Sequence, residues 1–167
     1  LSVISAKDLR DTPASILFDH LNHAAEIKSP FFNRAVLNPR IANEFLTPYR
    51  SFFQTNIDTA LVAQVRKDPQ VLVDWVKKNI TVNDALNPQR VPMMPMGVWK
   101  SRVADTNSRN IFFIAVARSL GIPAQIEPVA GRVQYAVGDH WTNVSFDETS
   151  PTVFKQAQFV ATYPPVK

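Results

Sequence analysis

Asp105-Thr106-Asn107-Ser108-Arg109-Asn110-Ile111-Phe112-Phe113-Ile114-Ala115-Val116-Ala117-Arg118-Ser119-Leu120-Gly121-Ile122-Pro123-Ala124 is the stretch that decides the fold. Its first residues suit a helix start, because a short polar side chain accepts a hydrogen bond from an amide that the first turn leaves unpaired. Thr106 reads as that cap, with Asp105 able to share the duty. Ile111 to Ala117 is apolar on every face, the pattern of a helix enclosed by protein. Gly121 suits the left-handed residue after a helix and Pro123 forbids continuation, so a central buried helix is expected over about residues 107–120.

Beyond this helix the period changes to two. Gln125-Ile126-Glu127, Arg132 to Val137 and Trp141 to Phe146 alternate as strands do, with Gly131 and Gly138 between them. Val153 to Tyr163 reads as one more strand, ended by Pro164-Pro165. Before the helix, six of the 13 prolines follow a capping-type residue: Thr12-Pro13, Ser29-Pro30, Asn38-Pro39, Thr47-Pro48, Asp68-Pro69 and Asn87-Pro88. Each pair is a helix-start signal, since proline lacks the amide that would be orphaned there. Pro39 and Pro48 should divide that region into short helices with a bend near Thr47. From Asn87 to Gly97, Pro88, Pro92 and Pro95 with Met93, Met94 and Met96 describe an extended apolar connection packed on a surface. The expected class is α+β: a helical N-terminal region, 1–90, packed on a core, 91–167, made of the buried helix and a small antiparallel sheet, together one compact unit.

Composition supports a true core. Of 167 residues, 46% are hydrophobic and 19% charged, far from the profile of disorder. The net charge of +4 comes from cations scattered in ones and twos, so no basic stripe suggests nucleic acid. Cysteine is absent, which removes disulfides, thiol catalysis and cysteine-held metals. No apolar run approaches the ~20 residues that span a bilayer, and no leader is visible. A chain beginning at Leu1 is expected to be a piece of a longer, processed protein.

The helix ending Arg118-x-Leu120-Gly121-Ile122-Pro123-Ala124, two strands, and Trp141-Thr142-Asn143-Val144 resemble the core of the transglutaminase-like families, relatives of the papain fold. In that family a cysteine starts the helix, a His-x-Trp follows on the strands and an aspartate completes the triad. The resemblance implies a helix start that stabilises a thiolate, a histidine that moves the proton and an acid that fixes its tautomer. Counting back from Arg118, the cysteine position is Thr106. With Trp141 matched to the family tryptophan, the histidine position is Asp139, and His140 is displaced by one. Neighbours on a strand face opposite ways, so His140 should point away from Thr106 unless a bulge at Gly138 turns it back. Asp147 fits the acid only if an intervening hairpin is lost, and Gln125 replaces the family's second arginine.

The resemblance therefore implies a non-catalytic binding or scaffolding module of a bacterial protein that is secreted, periplasmic or at the cell surface. The alternative is an amide-bond-acting peptidase or transferase using Thr106 with His140 or Asp139. A further alternative is a protein-interaction domain acting through the helical half, with an apolar patch near Phe52-Phe53 or Met93-Met94. Trp99, Arg102, Asp105, Tyr135 and Trp141 are the candidate ligand contacts, suited to a small molecule, glycan or peptide, or else to packing. Other domains of the same protein are possible partners; no cofactor is expected. Arg102 and Arg109 flank Asp105 at a spacing that suits an ion pair. His20 and His23, with Asp19, share a helix face, but no further metal ligand is visible and they read as solvent-facing.

Overall fold

In the computed structural model, residues 3–146 are described. Asp147 and the strand expected over residues 153–163 lie outside them. The helices are α1 (Ala6–Asp11), α2 (Ala14–Asn22), α3 (Tyr49–Asn56), α4 (Thr59–Lys67), α5 (Gln70–Asn79), α6 (Pro95–Ser101) and α7 (Thr106–Ser119). A π-helical turn occupies Asn33–Leu37 and a 3-10 turn Asp84–Leu86. Strands β1 (Thr81–Val82) and β2 (Val103–Ala104) pair in parallel. Strands β3 (Ala124–Ile126), β4 (Val133–Val137) and β5 (His140–Asn143) form an antiparallel meander with β4 in the middle. The class is α+β.

Helix α7 is the centre of the molecule. Every residue from Ile111 to Ala117 is at most 1% exposed, because α3 and α6 cover part of the helix while β3 and β4 cover another. The ring of Phe112 meets Phe53 edge-on at 5.7 Å, and Phe113 lies beside Tyr135 at 6.5 Å. One hydrophobic cluster runs from Tyr49 to Tyr135 and joins residues on both sides of position 90. Such rings gain both from burial and from edge-to-face geometry.

The helix-start signals divide by tertiary context. Pro13, Pro48 and Pro69 directly precede α2, α3 and α5. Ser29-Pro30 leads only to the π-helical turn, and no helix follows Asn38-Pro39 or Asn87-Pro88. At Asn38 the local bond does form, with Oδ1 accepting the Arg40 amide at 3.0 Å. The chain is then diverted, because Glu44 takes the Ile41 and Ala42 amides and Arg40 binds the Asp8 carboxylate. Residues 38–48 are irregular rather than short helices about a bend. The extended connection also ends early, since α6 begins at Pro95, where the missing amide costs nothing.

Gly121 closes α7 with φ +84°, and a Cβ there would stand 2.9 Å from the Ala25 Cβ. Gly121→Ala is therefore expected to lose about 1–3 kcal/mol, from left-handed strain plus the collision. Urea denaturation should show this as a lower midpoint at unchanged slope.

Candidate functional site

The start of α7 is built from three segments. Asp105 is the cap: its Oδ1 accepts the Ser108 amide at 3.0 Å, and its Oδ2 accepts the Ser108 hydroxyl at 2.5 Å. Asn87 Nδ2 donates to the same Oδ2 at 2.7 Å and to the Val91 carbonyl at 2.8 Å. Ser108 Oγ in turn accepts the Met93 amide at 2.9 Å. The 87–93 segment is thereby fastened to the first turn of α7. Burial alone would raise the Asp105 carboxyl, but the bonds from Ser108 and Asn87 outweigh it and hold the group below its ordinary value.

Thr106 is the first helical residue and not the cap. Its amide and hydroxyl both donate to Asp84, at 2.8 Å to Oδ1 and 2.9 Å to Oδ2. Asp84 comes from the 3-10 turn, so a carboxylate from outside the helix sits on the helix start. Anions are favoured there by the unpaired amides and the helix dipole.

The expected histidine partner is elsewhere. Gly138 has φ +64° and stands first in the two-residue turn between Val137 and His140, the position that glycine fills in a II′ hairpin. This is a tight turn, not a bulge. His140 therefore lies at the tip of the edge strand, its side chain 88% exposed, with Nε2 3.1 Å from Asp139 Oδ1. Neither His140 nor Asp139 meets Thr106, whose hydroxyl is held by Asp84.

The candidate ligand contacts fall into separate groups. Trp99 stacks on Trp75 at 5.3 Å, and the Arg102 guanidinium covers both rings, 4.1 Å from the first. Trp141 packs on Phe31 at 4.6 Å with Arg34 over both. Tyr135 is buried in the core, where desolvation pushes its phenol up. Asp105 takes its bonds from Asn87 and Ser108, not from Arg102 or Arg109, so the expected ion pair is absent. Arg109 instead lies over Phe146 at 4.3 Å. Of the expected patches, Phe53 is fully buried, while Met94, Val91 and Leu86 are 47%, 56% and 70% exposed.

His20 does not face solvent. It is 2% exposed and packs edge-on against Tyr49 at 4.5 Å, whereas the His23 side chain is 41% exposed. Among the described residues no three side chains converge as metal ligands.

The model of the transglutaminase-like superfamily matches residues 56–159. The chain belongs to this superfamily. No curated protein and no solved structure is significantly similar to it. In this transglutaminase-like domain, which has no cysteine, Asp84, Asn87 and Ser108 are the site residues not singled out by sequence. Ser108 carried a signal, since Asp105-x-x-Ser108 places a hydroxyl at the third helical residue, where it can fold back on the cap. Asp84 and Asn87 reach in from 22 and 18 residues away, beyond any local pattern. Among the described residues no helix is long and apolar enough to cross a membrane.

Proposed function

We propose that this domain is a non-catalytic member of its superfamily, a binding or scaffolding module whose former catalytic helix now serves structure. One observation carries the reading: the Asp84 carboxylate occupies both donors of Thr106. A nucleophile at the helix start relies on the positive field of the unpaired amides there to stabilise its anion. Here an anion is already seated, and a carboxylate beside a threonine hydroxyl is far too weak a base to ionise it. The placement in a bacterial secreted or envelope protein rests on the family resemblance alone. A division at residue 90 into helical region and core is part of the same proposal.

Installing a thiol tests the electrostatics. In Thr106→Cys the thiol is expected to alkylate with a midpoint at or above about pH 8.5, because Asp84 opposes the thiolate. Adding Asp84→Asn should lower that midpoint. Wild-type protein and Thr106→Val should be alike in releasing no ammonia or peptide from glutamine-containing peptides. Turnover that Thr106→Val removes would overturn the proposal in favour of the amide-bond enzyme.

A further inference from the structure

The residues that end three helices, His23 after α2, Ile57 after α3 and Leu120 after α7, line one cavity of about 540 Å³, within the size range of small-molecule sites. Thr59, Val62, Ala63 and Arg66, one face of α4 at helical spacing, line it as well. The cavity lies at the far end of α7 from Thr106, about 20 Å along the helix axis. It is independent of the reading of that residue. A helix C-terminus is the carbonyl end of its dipole, so three of them beside one cavity favour a cationic group there.

Two lining side chains are anchored by the protein yet keep polar atoms to spare. Gln54 Nε2 donates to the His23 and Ser119 carbonyls, each at 2.9 Å, which fixes the amide and leaves Oε1 as an acceptor. Arg66 Nε donates to the Leu120 carbonyl at 3.2 Å, while Nη1 and Nη2 bond to no described residue. Gln54 and Arg66 are both exposed, so a solute reaches them. His23 adds a second acceptor. Its Nδ1 is 2.9 Å from the Asp19 carbonyl oxygen, which only accepts, so Nδ1 carries the proton and Nε2 the lone pair. The side chain is 41% exposed.

The chemistry of a partner follows. The guanidinium edge of Arg66 fits a carboxylate, whereas Gln54 Oε1 and His23 Nε2 require a donor, and the helix ends favour a charged one. A dicarboxylate would set lone pairs against the two acceptors, and a diamine would leave Arg66 facing a like charge. The anchors of Gln54 and Arg66, Ser119 and Leu120, are consecutive residues whose Cα atoms are about 3.8 Å apart. The two charges therefore belong on one short molecule.

We propose that this cavity binds a small zwitterion, the free ammonium and carboxylate of an amino acid or dipeptide, with the carboxylate on Arg66 and the ammonium on Gln54 Oε1 and His23 Nε2.

Titration of the protein with L-leucine and with L-alanyl-L-leucine, followed by amide chemical shifts, tests this. Saturable binding of at least one is expected, with shifts at residues 22–25 and in α4, and the tighter of the two identifies the source of the zwitterion. Its N-acetyl and C-amide derivatives, each lacking one charge, should bind at least about tenfold more weakly. Arg66→Gln should weaken the zwitterion by a similar factor and leave the C-amide unchanged, since that derivative has no carboxylate to lose. Ala63→Trp, at an exposed position lining the cavity, should abolish binding while the core amides keep their shifts. Absence of saturable binding by either compound would overturn the site. Derivatives that bind as tightly as the parent, or an Arg66→Gln variant that binds it undiminished, would overturn the charge pairing. Undiminished binding in Ala63→Trp would overturn the location.

Discussion

Arg118→Met should lower the unfolding free energy by about 3–4 kcal/mol and the melting temperature by on the order of 10 °C. Arg118 is 3% exposed, and its guanidinium donates to carbonyls rather than to a carboxylate. Nε reaches Ala124 O at 2.9 Å, and Nη1 reaches Asn38 O at 2.8 Å and Arg40 O at 2.9 Å. One planar group thus ties the end of α7 to the first residue of β3 and to the irregular 38–40 segment. Methionine fills much of the volume but leaves these carbonyls short of a buried donor, each costing about 1–3 kcal/mol before relaxation. The loss is reduced because the cation itself is costly to bury. Burial already pulls its pKa below the usual guanidinium value. Arg118→Lys should fall between, since an ammonium lacks the fork geometry. Calorimetry and urea unfolding would check both variants. A loss in Arg118→Met of less than about 1 kcal/mol would mean that water replaces the guanidinium and that the clasp is not needed.

Arg118 also shows what sequence could and could not carry. Its place in Arg-x-Leu-Gly-Ile-Pro-Ala was legible, as were the buried helix and the three strands. Each of those rests on periodicity within a few residues and on glycines whose positive φ the chain requires at 121, 131 and 138. The carbonyls that Arg118 binds at positions 38 and 40 were not legible, because they lie 80 and 78 residues away. The same division explains the proline signals. Asn38 makes its local bond, yet Glu44 and Arg40 override the helix that should follow.

At the start of α7 the absence of cysteine was legible, and so was the separation of His140 from Thr106, which the hairpin turn at Gly138 produces. The bonds that hold the start of α7 were not legible: Asp84 reaches Thr106 and Asn87 reaches Asp105 from 22 and 18 residues away. Their carboxylate and amide turn the start of α7 into the anchor of the segment that carries them.

Acidification from pH 7 to pH 4 is expected to remove about 3 kcal/mol of stability through His20 alone. Burial, aided by the nearby Arg50 cation, lowers its pKa from 6.5 to about 4, against the raising effects of the Thr47 carbonyl and Asp19. The unfolded chain therefore binds a proton between those values that the folded chain refuses. Stability from the neutral imidazole is complete above pH 6.5 and is lost as the pH falls toward 4. Carboxylates add to acid sensitivity at lower pH: the Arg40 bond holds Asp8 below its ordinary value, so its contribution is lost only as pH falls through that lower range. His20→Gln separates the two effects. The variant keeps a side-chain N–H for Thr47 but has no proton to take up, so its stability should be nearly flat from pH 6.5 to 5, where wild type already declines. Urea midpoints measured at half-unit intervals would show the curves converging as pH falls. Parallel curves would mean that His20 takes up its proton at the same pH in the folded and the unfolded chain, which would require its ring to have reached water.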